Sequence, residues 1–124
     1  MVDHPDAELT PGLLVYRFDA PLFFANASRL RDEIQAAVDA TEPPVECVVI
    51  DAEMMYDIDS TGAQILLELL DGLDEQGVRL VLARVRTELR DELQASGLEG
   101  RVGADRVYLE VDDAVTAFVE RKVD

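Results

Sequence analysis

Two spacings of apolar residues take turns along this chain. Short runs rich in β-branched and aromatic residues predict strands, whereas longer stretches with apolar side chains three and four positions apart predict helices. The first strand-like run is Leu13 to Phe18, followed beyond Pro21 by a short second one at Leu22 to Ala25. A helix follows, with Asn26 or Ser28 as its cap and Leu30, Ile34, Ala37 and Val38 on one face. Thr41-Glu42-Pro43-Pro44 ends it, because proline lacks an amide hydrogen and forces its predecessor toward an extended backbone. Residues 45–51 predict a buried strand, and Ile65, Leu66, Leu69 and Leu73 predict a helix over about 60–75, with Gln76-Gly77 as a left-handed exit.

The alternation continues to the C-terminus. Val78 to Val85 reads as a strand, and Thr87 caps a short helix through Leu89 and Leu93 that Gly97 stops. Residues 98–106, rich in glycine and charge, read as a loop, and Arg106 to Leu109 as a last short strand. Asp112 or Asp113 then caps a final helix with Val115, Phe118 and Val119 inward. Such alternation predicts an α/β domain with parallel neighbouring strands and right-handed crossovers. No repeat or internal linker divides it, so residues 1–124 read as one domain with 1–10 as a flexible lead-in.

Asp57-Ile58-Asp59-Ser60-Thr61-Gly62 stands between a strand and a strongly apolar helix. The first amides of a helix have no internal partner and carry partial positive charge, so oxygen-bearing side chains belong there. The plainest role is an N-cap at Asp59 or Ser60. Three chemistries also fit the residue types. Asp57, Asp59, Thr61, Gly62 and Glu68 stand at positions 1, 3, 5, 6 and 12 of a calcium-loop pattern, although the preceding segment is strand-like and no second loop accompanies it. Asp57-x-Asp59-x-Thr61 resembles the nucleophile motif of haloacid-dehalogenase-like phosphatases, which also need a downstream lysine. The single lysine is Lys122, almost at the C-terminus. Finally, Ser60 or Thr61 can accept a phosphoryl group at a helix start that tolerates added negative charge.

Composition narrows these options. With 27 acidic and 11 basic residues the net charge is −16, which repels nucleic-acid backbones and anionic lipid alike. Acidic charge of this size also keeps a domain soluble without any partner. His4 is the only histidine and Cys47 the only cysteine, so histidine triads, two-histidine metal sites and internal disulfides are excluded. Cys47 lies in an apolar run and reads as a packed rather than a reactive thiol. No apolar run approaches the roughly 20 residues that cross a bilayer, and Met1 to Asp6 lacks the pattern of a signal peptide, so the chain reads as cytosolic in character. No metal or required cofactor emerges. One small-molecule ligand is suggested: Arg84 and Arg86 follow a strand predicted to lie beside the one before Asp57, so a guanine or adenine nucleotide could meet the helix start and both arginines. Against that stand the absence of a phosphate-loop motif, the repulsion of phosphate by Asp57 and Asp59, and the ordinary presence of arginines on surfaces.

With the motif placed between strand and helix, the chain from Leu9 onward resembles the STAS family, named for sulfate transporters and antagonists of anti-sigma factors. Asp59-Ser60-Thr61-Gly62 is similar to the short motif that carries the regulatory phosphorylated serine in the antagonist branch, which makes Ser60 the acceptor candidate and Thr61 the second. The string from Pro11 to Ala27, with Phe23-Phe24-Ala25-Asn26, resembles the start of the cytoplasmic C-terminal domain of SulP-type anion transporters. The resemblance implies a central mixed β-sheet of about four to five strands with about four helices. It also implies a noncatalytic regulatory domain at the inner face of the cell membrane. Its partners would be the transmembrane domain of its own sulfate or anion transporter and a regulatory protein or kinase, with a homodimer formed through the full-length transporter. A free-standing anti-sigma-factor antagonist switched at Ser60 is the alternative, and a weak phosphatase or nucleotide hydrolase using Asp57 is the enzymatic one.

Overall fold

The computed structural model describes residues 10–17, 24–41, 44–55, 57–103 and 106–120. In chain order the elements are β1 (Leu13–Arg17), α1 (Phe24–Ala40), β2 (Cys47–Asp51), α2 (Ser60–Glu75), β3 (Arg79–Ala83), α3 (Thr87–Ser96), α4 (Leu98–Val102), β4 (Val107–Tyr108) and α5 (Val111–Val119). The strands form one sheet in the order β1-β2-β3-β4, and every pair is parallel. Val15, Val49 and Val81 stand side by side across it, as do Arg17, Asp51 and Ala83 at its C-terminal edge.

Helices cover both faces, which is why β2 is buried at every position instead of alternating with polar residues. On one face Val48, Ile50, Leu80 and Leu82 meet Leu30, Ile34, Leu66, Leu69 and Leu73 of α1 and α2, with Leu89, Leu93, Leu98 and Val102 of α3 and α4 joining the same cluster. The other face packs Leu13, Val15, Cys47, Val49 and Val81 under Val111, Ala114 and Phe118 of α5.

Cys47 is buried in that second layer. Burial pushes its thiol pKa from 9.0 to about 12, against a smaller opposing pull from Arg79 and Arg106. Below pH 9 the thiol is neutral folded and unfolded, and its contribution is fully present. Above that, the unfolded chain releases a proton that the folded chain keeps, so stability falls as pH rises toward 12. Between pH 9 and 10 the urea unfolding free energy is expected to drop about 1 kcal/mol more than in Cys47→Ala. Equal drops in the two proteins would mean that the folded thiol ionises normally.

Several local expectations change. Phe24 and Ala25, expected to end a strand, open α1, because the apolar series through Ala27, Leu30, Ile34 and Val38 is helical from its beginning; Leu22 and Phe23 lie outside the described residues, as do Phe18, His4 and Lys122. Asn26 and Ser28 are therefore inside the helix, not capping it. The expected α/β architecture with a four-stranded sheet is present; among the described residues that sheet is parallel throughout rather than mixed, and five helices stand where about four were expected. The addition is α4 within the expected loop at 98–106, where Leu98 and Val102, one helical turn apart, are both buried. Arg86 rather than Thr87 occupies the cap of α3, and Glu110 rather than Asp112 or Asp113 that of α5. Those two aspartates lie in the first turn of α5, where the helix dipole favours negative charge. Val119 points outward, 58% exposed, because Val111, Ala114 and Phe118 already make the inward stripe. Gly77 adopts the left-handed φ of 75° expected of it, and Gly97, expected to stop α3, does so with a left-handed φ of 83°.

Candidate functional site

The segment leading to α2 is pinned by one apolar residue between two acidic ones. Ile58 is buried, while Asp57 and Asp59 are exposed. Asp57 Oδ1 accepts a hydrogen bond from the Ile58 amide at 2.8 Å. Asp59 has the extended backbone of an N-cap, and its Oδ1 accepts from the Gly62 amide at 2.6 Å, while its carbonyl accepts from the Ala63 amide at 2.9 Å. Ser60 is thus the first helical residue, exposed like Thr61, whereas Gly62 and Ala63 turn inward onto the core.

Asp59 is therefore the cap that the first amides of α2 need. Asp59→Ala is expected to lower the unfolding free energy by about 1 kcal/mol and Asp59→Asn to cost much less, since an amide oxygen can still accept from Gly62. Urea midpoints of the two variants check this; equal losses would assign the effect to charge rather than to the hydrogen bond. The same geometry overturns the calcium-loop pattern. The chain is helical from Ser60 onward, and Glu68 accepts from Arg31 Nη1 of α1 at 3.2 Å. Among the described residues no group of three or more histidine, cysteine or carboxylate side chains is arranged to hold a metal.

A shallow groove of about 220 Å³ opens beside the helix start, lined by Ile58, Asp59, Ser60 and Ala63 on one side and Glu92, Ala95 and Ser96 of α3 on the other. Its charged lining residues are both carboxylates. The Ser60 and Glu92 side chains make no hydrogen bond or ion pair within the described residues, whereas Ser96 Oγ contacts the backbone of Leu93 and Leu98.

Arg84 and Arg86 reach the same edge of the sheet but engage different groups. Asp51 ends β2 and is fully buried; its Oδ1 accepts from the Glu53 amide at 3.1 Å. Arg84, with a left-handed φ of 61°, places Nη1 3.6 Å from Asp51 Oδ2 and pairs through Nη2 with Glu53. Arg86 Nε donates to the Glu53 carbonyl at 2.8 Å. The two arginines hold the 51–53 turn, and neither lines the groove beside Ser60. Asp57, Asp59, Ser60, Thr61 and Gly62 are brought together by being consecutive.

The partners Asp51, Glu53, Glu92, Ala95 and Ser96 are not evident from the motif. A signal exists for Asp51, a carboxylate closing an otherwise apolar strand, but α3 becomes a wall of the groove only through packing.

Comparison with known proteins places this arrangement. The STAS domain model matches residues 4–114. A probable sulfate transporter of Mycobacterium tuberculosis is 39% identical over 119 residues, covering 96% of this chain and 21% of that protein, so the chain spans about a fifth of that relative's length. A solved sulfate transporter family protein from Wolinella succinogenes superposes with a TM-score of 0.77 at 26% identity, covering 98% of this chain and all of the other. The anti-sigma factor antagonist SpoIIAA in its unphosphorylated form, from a Bacillus cell-fate system, gives 0.70 at 20% identity over 94% of this chain and 95% of its own, a likeness of fold alone. With a parallel α/β sheet, a capped helix start at Asp59-Ser60 and a family match over nearly the whole length, this chain belongs to the STAS domain family.

Proposed function

We propose that this chain is the noncatalytic regulatory and interaction domain of a SulP-type transporter of sulfate or a related anion, lying on the cytoplasmic side of the membrane against its own transmembrane domain. The observation that carries this is the form of the similarity: 96% of the chain aligns at 39% identity with only 21% of a probable sulfate transporter. No helix among the described residues is long and apolar enough to cross a membrane, so an anion pathway would have to be built by other parts of the protein. The open, acid-lined groove suits contact with a partner surface better than transport chemistry. Sequencing the gene upstream tests the reading. About ten or more apolar segments of membrane-spanning length in the same reading frame are expected, and sulfate uptake by cells expressing the whole protein should fall when residues 10–120 are deleted. A natural stop and start flanking these residues would replace this reading with that of a free-standing antagonist.

Phosphorylation at Ser60 is a second reading, favoured by the exposure of its hydroxyl at the first helical position, where added charge meets the positive end of the dipole. Incubation with cellular kinases and mass-spectrometric mapping is expected to label Ser60, with Thr61 second. Complete lack of label at both, with a control antagonist labelled in parallel, would remove it.

A further inference from the structure

We propose that the groove between the start of α2 and α3 seats a cationic segment bearing an aliphatic side chain, supplied by a cytoplasmic loop of the transporter's own membrane domain. The inference rests on the transporter reading for the identity of the loop, but on the groove alone for its chemistry. Its apolar lining is Ile58, Ala63 and Ala95, and its charged lining is Asp59 and Glu92. Its volume of about 220 Å³ lies below the roughly 300–1,000 Å³ of small-molecule sites and suits a side chain or two of a peptide.

Charge gives the partner's sign. On α3, Glu88, Asp91, Glu92 and Ala95 are all exposed and share one face by helical spacing, so the acidic wall extends along the helix beyond the groove. Among the described residues, the four arginines between positions 84 and 101 engage other groups. Arg90 donates to Glu99 at 2.6 Å, Arg84 and Arg86 hold the Asp51–Glu53 turn, and Arg101 pairs with Asp71 and lies 3.6 Å from Asp74. The Glu92 side chain makes no ion pair or hydrogen bond within the described residues, so an incoming guanidinium or ammonium need not displace an internal partner from it. Short cytoplasmic loops of membrane proteins carry an excess of lysine and arginine, and this chain has a net charge of −16. The two are complementary, and the groove adds a place for a side chain that fixes where the loop docks.

The test uses the 124-residue chain and a short fluorescent peptide alternating leucine and arginine, with a glutamine-for-arginine counterpart. The arginine peptide should shift the backbone amides of residues 58–63 and 92–96 ahead of the remaining surface, and the glutamine peptide should bind at least about tenfold more weakly. Glu92→Lys should weaken the arginine peptide about tenfold. Glu75→Lys, the same charge change at the far end of α2, should alter binding less than about twofold. Both positions are exposed, so both variants should keep the wild-type fold. Equal losses in the two variants, or shifts spread evenly over the acidic surface, would overturn the proposal by showing attraction to net charge alone. Failure here beside an upstream run of membrane segments removes the groove and keeps the transporter reading; groove-specific binding without such segments removes the transporter's loop as its occupant.

Discussion

Arg84→Ala is expected to lower the unfolding free energy by about 2–3 kcal/mol, and Arg84→Gly by about 1 kcal/mol less than that. Asp51 is 0% exposed at the end of β2, and Arg84 is the residue immediately after Ala83, which stands opposite Asp51 in the sheet. A carboxylate taken out of water needs a compensating charge, and removing one partner of a fully buried pair costs about 3–5 kcal/mol. Here the loss is smaller, because the guanidinium is 27% exposed and its approach to Asp51 is 3.6 Å. The glycine variant separates side chain from backbone. Arg84 holds a left-handed φ of 61°, which burdens any residue with a Cβ and not glycine, so Gly recovers backbone strain while losing the same ion pairs. Glycine would ordinarily be the worse replacement in a folded segment; here the order is reversed. Urea unfolding of the three proteins decides it, and a wild-type midpoint for Arg84→Ala would show that the pair contributes nothing.

The same substitution bears on the functional segment. Arg84 and Arg86 fasten the turn at Glu53, from which the chain runs to Ile58 and the cap at Asp59. Loosening that turn is expected to speed amide hydrogen exchange at Ile58 and Gly62 more than in the centre of β2.

Leu73→Ala is expected to cost about 3 kcal/mol, whereas Leu109→Ala should stay within about 0.5 kcal/mol. Leu73 is fully buried in the last turn of α2, in the cluster that contains Ile34, Leu69 and Leu80. Truncating it opens a cavity in a layer held between sheet and helix, so the lost transfer energy and the lost packing add. Leu109 follows the edge strand β4 and is 83% exposed, leaving little burial to lose. Chemical unfolding of both variants checks the contrast. A loss at Leu73 no larger than at Leu109 would show that α2 is not seated on the sheet as described.

These two leucines also mark the boundary between local and tertiary information. Both sit in apolar stretches, yet only packing distinguishes the core residue from the exposed one. The principal helices and strands were legible because their backbone repeats impose a spacing on every apolar side chain that must face inward. Leu30, Ile34 and Val38 announce α1, and the uninterrupted Cys47 to Ile50 run announces a strand covered on both sides. The cap at Asp59 was equally local, since its carboxylate reaches an amide three residues on.

What the chain could not reveal by spacing depended on contacts between distant segments. The five residues of α4 are too few to display a repeat, and their helical form follows from Leu98 and Val102 reaching a common core. The neighbours of Arg84 were equally hidden, since the parallel register of β2 and β3 is what brings it beside Asp51 and Glu53. Glu92 carried no signal at all, being one acidic residue on a polar helix, until the packing of α3 beside the start of α2 made it a wall of the groove. The principal elements and the Asp59 cap before Ser60 could thus be read along the chain, because they rest on apolar periodicity and local hydrogen bonding, and the family could be read from the resemblance of its Pro11 to Ala27 and Asp59 to Gly62 strings. Only the tertiary structure decided which charges neutralise one another and which face an open groove, because side chains far apart in the chain meet only when the sheet and its helices close over the core.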